Sequence, residues 1–244
     1  MSPRYLALAL LAGCGGSLPP DQPVVFADTA GKIEVACPAQ TSTTMVALAF
    51  GQSNSANSEQ VRHSSTRVIN YFRGKCYLAQ DPLLGATNTE GTVWTLMGDK
   101  LLDKDRFTDV ILIAAGVGGT SVRQWVEEPW LENAMKQPYS ITHFLWHQGE
   151  EDMFEHTSQT DYALRLKTVI ERTKAQYPAS QFWVSIASIC KGPPDPEIEA
   201  AQQSVIGSGV FQGPNTDLIP NRYDGCHFNG TGQELIASAW AALL

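Results

Sequence analysis

An unbroken apolar run that ends in a glycine-flanked serine is the feature that most constrains this chain. Residues 45–50 are all apolar, and Gly51-Gln52-Ser53-Asn54 follows directly. An apolar run without polar alternation is typical of a strand buried on both faces, as in a parallel sheet covered by helices. Such a strand would bring the Ser53 hydroxyl to the carboxyl edge of the sheet, where open α/β folds bind ligands.

Strand-like and helix-like segments alternate along the rest of the chain, which predicts one three-layer α/β/α sandwich with a mainly parallel central sheet. The predicted strands are residues 45–50, 109–115, 142–146 and 182–189, and the predicted helices are residues 93–102, 161–176, 197–206 and 231–244. Thr231, with Glu234 three residues later, is the expected N-cap of the last helix. Residues 71–82 and 191–196 are predicted to be loops or short edge pieces.

The N-terminal residues have the composition of an export signal. Arg4 precedes the short apolar core of residues 5–11, which is too short to span a bilayer. The following Leu-Ala-Gly-Cys sequence resembles a bacterial lipobox, so we expect residues 1–13 to be a lipoprotein-type signal peptide and Cys14 to be lipidated. The alternative is an ordinary secretory signal with an incidental Cys14. Residues 14–30 are then expected to be a tether and residues 31–244 the folded domain, located at the bacterial cell envelope.

Charge argues against one class of partner. The chain has 17 basic and 25 acidic residues, for a formal net charge of −8, and its lysines and arginines form no cluster. Binding to nucleic acid is therefore disfavoured, and a membrane is expected to be contacted only through the N-terminal lipid.

Four cysteines follow the expected cleavage site, and an even number in an exported chain favours disulfides. Cys190 ends a predicted strand and Cys226 lies in a loop that would reach the same sheet edge. We therefore expect the pairs Cys190–Cys226 and Cys37–Cys76. Buried free thiols remain the alternative.

Three further stretches carry candidate chemistry. Asp224 and His227 are three residues apart on a glycine-containing loop, a spacing that lets the carboxylate hold one imidazole nitrogen while the other faces outward. Gly118, with Gly119, follows a predicted strand and would let a backbone amide approach a substrate closely. The side-chain amide of Gln148, after the next strand, is a second candidate donor.

Together these stretches resemble the SGNH-hydrolase superfamily, and in particular its sialate O-acetylesterase and acetylxylan-esterase branch. The resemblance extends from about residue 45 to the end of the chain. It rests on four stretches in order: Gly51-Gln52-Ser53-Asn54; Gly118-Gly119-Thr120-Ser121 with Trp125; Trp146-His147-Gln148-Gly149-Glu150 with Asp152; and Asp224-Gly225-Cys226-His227. The resemblance implies a flavodoxin-like SGNH fold and a carbohydrate O-acetylesterase that needs no cofactor.

The resemblance also implies roles for individual residues. Ser53 would be the nucleophile, His227 its base and Asp224 the residue that orients His227. The oxyanion donors would be the amides of Ser53 and Gly118 and the side chain of Gln148, where other SGNH enzymes carry an asparagine. Glu150 would support the site, and whether it or Asp224 is the main triad acid stays open.

Other interpretations compete with the esterase. One is a non-catalytic glycan-binding envelope lipoprotein of the same fold, and another is a lipase-like or thioesterase-like SGNH hydrolase. A metal cluster would use His143, His147, Glu150, Asp152 and His156, but residues 141–146 read as a strand rather than the helix that zinc-binding histidines at this spacing need. Trp125 and Trp130 would either stack on a sugar ring or pack in the core.

Overall fold

The computed structural model describes residues 25–244. The expected signal peptide, Cys14 and the first part of the expected tether lie outside the described residues. Eight strands form one sheet in the order β1-β4-β3-β5-β2-β6-β7-β8. They are β1 (Glu34–Val35), β2 (Thr44–Gly51), β3 (Ser64–Phe72), β4 (Lys75–Gln80), β5 (Asp109–Ala114), β6 (His143–His147), β7 (Gln181–Ile186) and β8 (Val210–Asn215).

The six strands from β3 to β8 across the sheet are parallel, and β4 and β1 add an antiparallel edge. β2 lies at the centre, paired with β5 from Thr44 opposite Asp109 and with β6 up to Gly51 opposite His147. The predicted three-layer sandwich with a mainly parallel sheet is confirmed. Its central strand delivers Ser53 to the carboxyl edge of the sheet.

In the described part of the chain, seven α-helices flank the sheet. They are α1 (Trp94–Asp103), α2 (Val122–Glu127), α3 (Trp130–Met135), α4 (Glu150–Phe154), α5 (Gln159–Gln176), α6 (Pro196–Ser204) and α7 (Gly230–Leu243). Val46, Leu48 and Phe50 of β2 pack into the cluster that contains α2, α3, α5 and α6. Met45, Ala47 and Ala49 pack into the cluster that contains α1 and α7. Because successive side chains point to opposite faces, an unbroken apolar strand satisfies both layers. None of the helices in residues 25–244 is long and apolar enough to span a membrane.

Residues 71–82, expected to form loops or short edge pieces, contain the end of β3 and all of β4, a six-residue strand of the antiparallel edge, joined by the two-residue turn Arg73-Gly74. Two other local predictions are wrong. α7 is capped by Asn229, whose side chain accepts a hydrogen bond from the Gly232 amide, and not by Thr231. The tether does not extend to residue 30, since Ala27 is buried and Phe26 forms a β-bridge with Thr87.

Both predicted disulfides are present. Cys190–Cys226 joins the segment after β7 to the loop before α7, and Cys37–Cys76 joins the segment after β1 to β4. The first of these crosslinks fixes the loop that carries Asp224 and His227 to the carboxyl edge of the sheet.

Candidate active site

Ser53 begins a short 3₁₀ helix that is separated from the end of β2 only by Gln52. Gly51 makes this turn possible, because its φ is +130° and an added Cβ would lie 2.1 Å from the carbonyl oxygen of His147. Only 8% of Ser53 is exposed, so little of this residue is accessible from the surface. Within residues 25–244 the Ser53 amide donates to no acceptor, which leaves it free to bind an oxyanion.

Gln52 ties this turn to the neighbouring loop between β6 and α4. Its side-chain oxygen accepts hydrogen bonds from the Gly149 amide at 3.2 Å and the Glu151 amide at 2.9 Å. These amides belong to the first turn of α4, where backbone N–H groups have no partner within the helix. The Gln52 side chain thus supplies that partner and fixes the Ser53 turn to β6.

Asp224 and His227 form a compact pair on the loop before α7. The Asp224 Oδ2 atom lies 2.7 Å from His227 Nδ1, and Asp224 Oδ1 accepts from the backbone amides of Cys226 at 2.8 Å and His227 at 2.7 Å. Burial alone would raise the pKa of Asp224, but these hydrogen bonds from His227 and Cys226 outweigh it and hold the pKa below its ordinary value. The carboxylate is therefore ionised at neutral pH and orients the imidazole.

Asn54 connects the serine turn to the histidine loop. Its side-chain nitrogen donates to Glu150 Oε1 at 2.6 Å and to the carbonyl oxygen of Cys226 at 3.4 Å. The residue after Ser53 thus contacts the residue before His227. In the described part of the chain no direct hydrogen bond joins Ser53 and His227, and such bonds are commonly long in enzymes without substrate.

Glu150 belongs to the buried layer beneath this contact. It is fully buried, and burial raises the pKa of its carboxyl to about 7, although the hydrogen bond from Asn54 opposes the shift. Its Oε1 atom lies 3.7 Å from Nε2 of His147, whose pKa falls to about 3 because of burial and the nearby charge of Arg222. Glu150 therefore contacts Asn54 and a neutral His147, whereas Asp224 contacts His227.

Arg222 and Glu59 have buried ionisable side chains that the sequence analysis missed, and burial raises the pKa of Glu59 well above its ordinary value. The Arg222 guanidinium donates to the carbonyl oxygens of Cys226 and of Thr216, and it lies over the Phe228 ring at 4.0 Å. The carboxyl group of Glu59 accepts a hydrogen bond from the Phe228 amide at 2.5 Å. Together these residues hold both sides of His227. A lone arginine or glutamate has no local spacing signal, so only the fold identifies them.

The structure disagrees with two of the predicted oxyanion donors. Gln148 is fully buried, and its side-chain nitrogen donates to Asp152 Oδ2 at 2.5 Å and to the carbonyl oxygen of Thr120 at 3.0 Å. The Gly118 amide donates to the Thr87 hydroxyl at 2.8 Å. Because an amide nitrogen has two hydrogens and a backbone amide has one, these donors are already engaged. Gln148 supports the loop, and Gly118 becomes available only if the Thr87 hydroxyl is displaced.

A pocket of about 380 Å³ opens beside His227. Its lining includes Asp224 and Glu90, together with Asn88 and Tyr223. The Tyr223 hydroxyl donates to the Ser58 carbonyl oxygen at 3.1 Å, which fixes a half-exposed ring 6.1 Å from the imidazole. An aromatic face among polar groups is suited to a sugar ring.

The other candidates from the sequence are separated in the fold. Trp125 is fully buried in the core, whereas Trp130 lines a second cavity. His143 and His147 lie at opposite ends of β6, roughly 13 Å apart along an extended strand. Residues 25–244 contain no group of three or more His, Cys, Asp or Glu side chains placed to hold a metal ion.

A mainly parallel α/β/α sandwich with a serine turn and a His–Asp loop at one sheet edge is the architecture of SGNH-type hydrolases. The chain belongs to the family described as carbohydrate esterase, sialic acid-specific acetylesterase, whose model matches residues 43–243. No curated protein matches the sequence closely enough to count as a relative.

Several solved structures share the fold at low sequence identity. A protein from Arabidopsis thaliana has a TM-score of 0.67 at 16% identity, over 82% of this chain and 97% of that one. NanS has a TM-score of 0.59 at 13% identity, over 82% and 96%. An acetylxylan esterase from Geobacillus stearothermophilus has a TM-score of 0.57 at 11% identity, over 84% and 94%. These structures share the fold of this chain, and its membership of a carbohydrate-esterase family rests on the family model.

Proposed function

We propose that this protein is a serine esterase that removes O-acetyl groups from carbohydrates through an acetyl-enzyme intermediate. The observation that carries the proposal is the 2.7 Å contact between Asp224 and His227, on a loop that Asn54 joins to the Ser53 turn. A serine, a base and an orienting carboxylate are the minimum set for acyl transfer without a cofactor.

The proposed reaction has two halves. Ser53 Oγ attacks the acetyl carbonyl carbon while His227 Nε2 takes the hydroxyl proton, and the Ser53 amide binds the resulting oxyanion. The tetrahedral intermediate collapses, the C–O bond to the sugar breaks, and His227 returns the proton to the sugar oxygen. Water, deprotonated by His227, then attacks the acetyl-Ser53 ester; the bond between the acetyl carbon and Ser53 Oγ breaks, His227 returns the proton to Ser53 Oγ, and acetate leaves. Asp224 stabilises the imidazolium in both halves.

The pocket beside His227 supports a sugar as the leaving group. Tyr223 offers a fixed ring face, and Asn88 offers an amide that pairs with sugar hydroxyls. Two carboxylates, Asp224 and Glu90, line the same space, and Arg62 is already paired with Glu90 at 3.4 Å. This charge pattern favours a neutral sugar over an acidic one at the acetylated position.

Acetate release from a panel of acetylated glycans tests the proposal. The panel holds acetylated xylan, O-acetylated sialic acid and O-acetylated peptidoglycan, with the Ser53→Ala protein as the matched control. We expect wild type to release acetate from at least one glycan and the variant to release none above background. Binding of glycans without release would identify a glycan-binding protein instead. Faster hydrolysis of p-nitrophenyl octanoate than of p-nitrophenyl acetate would identify a lipase-like or thioesterase-like enzyme.

We also propose that the protein is a lipoprotein of the bacterial cell envelope, anchored through Cys14. The support is the Leu-Ala-Gly-Cys sequence after a short apolar core. Metabolic labelling with a palmitate analogue in a bacterial host is expected to label the wild-type protein and not the Cys14→Ser variant. Equal labelling of both, or of neither, would refute the lipid anchor.

A further inference from the structure

A second cavity, outside the pocket that contains His227, lies at the carboxyl ends of β3 and β5. Its volume is about 450 Å³, and its apolar floor includes Ile113 and Ala114, the last residues of β5. Trp130 and Phe72 supply aromatic groups, and Asn133 and Gln137 of the α3 region supply amides. This composition is typical of a site that takes a small polar ring.

Two cationic side chains stand at this cavity, and its lining contains no carboxylate. Arg73 and Lys136 both line it, and in the described chain neither lies within ion-pair distance of an acidic side chain. The Lys136 ammonium donates to Asn133 Oδ1 at 3.0 Å. In a chain with a net charge of −8, a cavity bordered only by positive charge favours an anionic ligand.

The conformation of Arg73 is a second, independent observation. Arg73 and Gly74 are the central residues of the β3–β4 hairpin, with φ values of 49° and 84°. Two-residue turns of this kind favour Asn, Asp or Gly at the first position, because other side chains pay a steric cost there. Such a residue is a candidate for function when its side chain reaches a ligand site. The Arg73 guanidinium lies 4.9 Å from the centre of the Phe72 ring, at this cavity.

The two cavities are neighbours. Val25 lines the pocket beside His227, and the next residue, Phe26, lines the second cavity. Val117 also lines the second cavity, and its amide donates to the Gly51 carbonyl oxygen at 2.9 Å, two residues before Ser53. The linings of the two cavities therefore include consecutive residues of the chain, and one of the second cavity's lining residues is bonded to the strand end that carries Ser53.

We infer that the second cavity is a subsite for a carboxylated sugar unit, held by Arg73 and Lys136 against Trp130, next to a neutral acetylated unit in the pocket of His227. This inference rests on the proposed function and adds to it. The substrate it implies is a mixed glycan, in which the sugar that loses the acetyl group is not the sugar that carries the carboxylate.

Isothermal titration on the Ser53→Ala background tests the inference without any turnover. The probes are a glucuronoxylan tetrasaccharide with one glucuronic acid and the same tetrasaccharide after carboxyl reduction. We expect the acidic probe to bind about tenfold more tightly, as a charge-assisted contact allows. Arg73→Gly, which suits the turn, and Lys136→Gln should each reduce the affinity for the acidic probe and leave that for the reduced probe unchanged.

The matched control is Lys75→Gln. Lys75 lies on the same hairpin, pairs with Glu34 at 2.7 Å and does not line the cavity, so its loss removes the same charge from the same region. We expect it to leave both affinities unchanged. Equal binding of the two probes, binding of neither, or equal effects of Lys75→Gln and Arg73→Gly would overturn the inference. Failure of the esterase proposal would appear separately, as absence of acetate release by the wild-type protein.

Discussion

At the scale of single residues, the division of labour between two carboxylates decides how the site works. Asp224 is partly exposed, ionised and in contact with His227, whereas Glu150 is fully buried and in contact with Asn54. An ionised carboxylate stabilises an imidazolium, and a buried carboxyl with a raised pKa does so less well. The contacts therefore favour Asp224 as the acid of the proposed triad and Glu150 as a support.

Asp224→Asn is expected to lower kcat by about 10³- to 10⁴-fold, because an amide at this position favours the wrong imidazole tautomer. Glu150→Gln should lower kcat by less than about tenfold, since a glutamine oxygen still accepts the hydrogen bond from Asn54. Steady-state hydrolysis of p-nitrophenyl acetate measures both. The reverse ranking would move the acid role to Glu150.

Ser53→Ala should abolish acetyl transfer while leaving the fold intact, because it removes one hydroxyl and little packing. Activity is expected to fall by about 10⁴-fold or more, and the remaining activity would come from substrate binding and the oxyanion contact. Mass spectrometry during turnover should show an acetyl adduct, about 42 Da by the chemistry of ester formation, on wild type only. An adduct on another residue would relocate the nucleophile.

At the scale of structural elements, the loop before α7 needs long-range support because it lacks regular structure. The Cys190–Cys226 disulfide, the Arg222 guanidinium and the Glu59 carboxyl group each hold a residue beside His227. Replacing Arg222 would leave the carbonyl of Cys226 without its charged donor. The loop's position is therefore set by several separate elements rather than by its own sequence.

The two disulfides provide a matched comparison of loop support. They close loops of similar length, with sequence separations of 36 and 39. Loss of either should therefore lower the free energy of unfolding by about 3 to 4 kcal/mol, because the unfolded chain is no longer constrained. The double replacement Cys190→Ser with Cys226→Ser should also lower kcat, whereas Cys37→Ser with Cys76→Ser should not. Tm and kcat measured on both proteins test this, and equal kcat values would show that the disulfide does not position His227.

At the scale of the whole molecule, several carboxyl groups are buried beneath the site. Burial raises the pKa of Glu150 to about 7 and that of Asp152 to about 6. A carboxyl whose folded pKa exceeds its unfolded value contributes stability that is full below the unfolded pKa and is lost as pH rises through the folded pKa. For Glu150 that window extends from about pH 4.5 to about pH 7.

Glu150→Gln should therefore stabilise the protein at high pH. We expect its free energy of unfolding to exceed that of wild type by about 1 to 3 kcal/mol at pH 8, because the variant has no buried charge to ionise. The difference should shrink as pH falls towards 4.5. Urea unfolding at several pH values measures it, and a difference independent of pH would mean that Glu150 does not titrate across this range.

For Asp224 the pH dependence of stability has the opposite sign to that of Glu150. Its pKa is lowered in the folded protein, so its contribution to stability is present above the unfolded value and is lost as pH falls through the folded value. Asp224→Asn should accordingly reduce stability at neutral pH and have little effect in acid. The same urea series checks this, and a destabilisation that persists in acid would point to lost hydrogen bonds rather than lost charge.

The sequence by itself determined the features that local patterns encode. Unbroken apolar runs and helical spacing identified the four central parallel strands β2, β5, β6 and β7 and the four longest helices α1, α5, α6 and α7, but not β3, β8 or the short helices α2 to α4. Three-residue spacing identified the Asp224–His227 pair. The glycine-flanked Ser53 was placed correctly at the end of β2. Turn chemistry and strand periodicity act over a few residues, so a single sequence carries them directly.

Only the tertiary structure decided which side chains meet. The contacts of Asn54 with Cys226 and of Glu59 with Phe228 join residues 172 and 169 positions apart. The engagement of Gln148 and Gly118 by Asp152 and Thr87 likewise depends on how loops pack. Long-range hydrogen bonds leave no periodic signal in the sequence. Any buried polar group needs a partner, but the sequence does not show which residue that partner is. The fold supplies that partner, and with it the shape of both sugar-sized cavities.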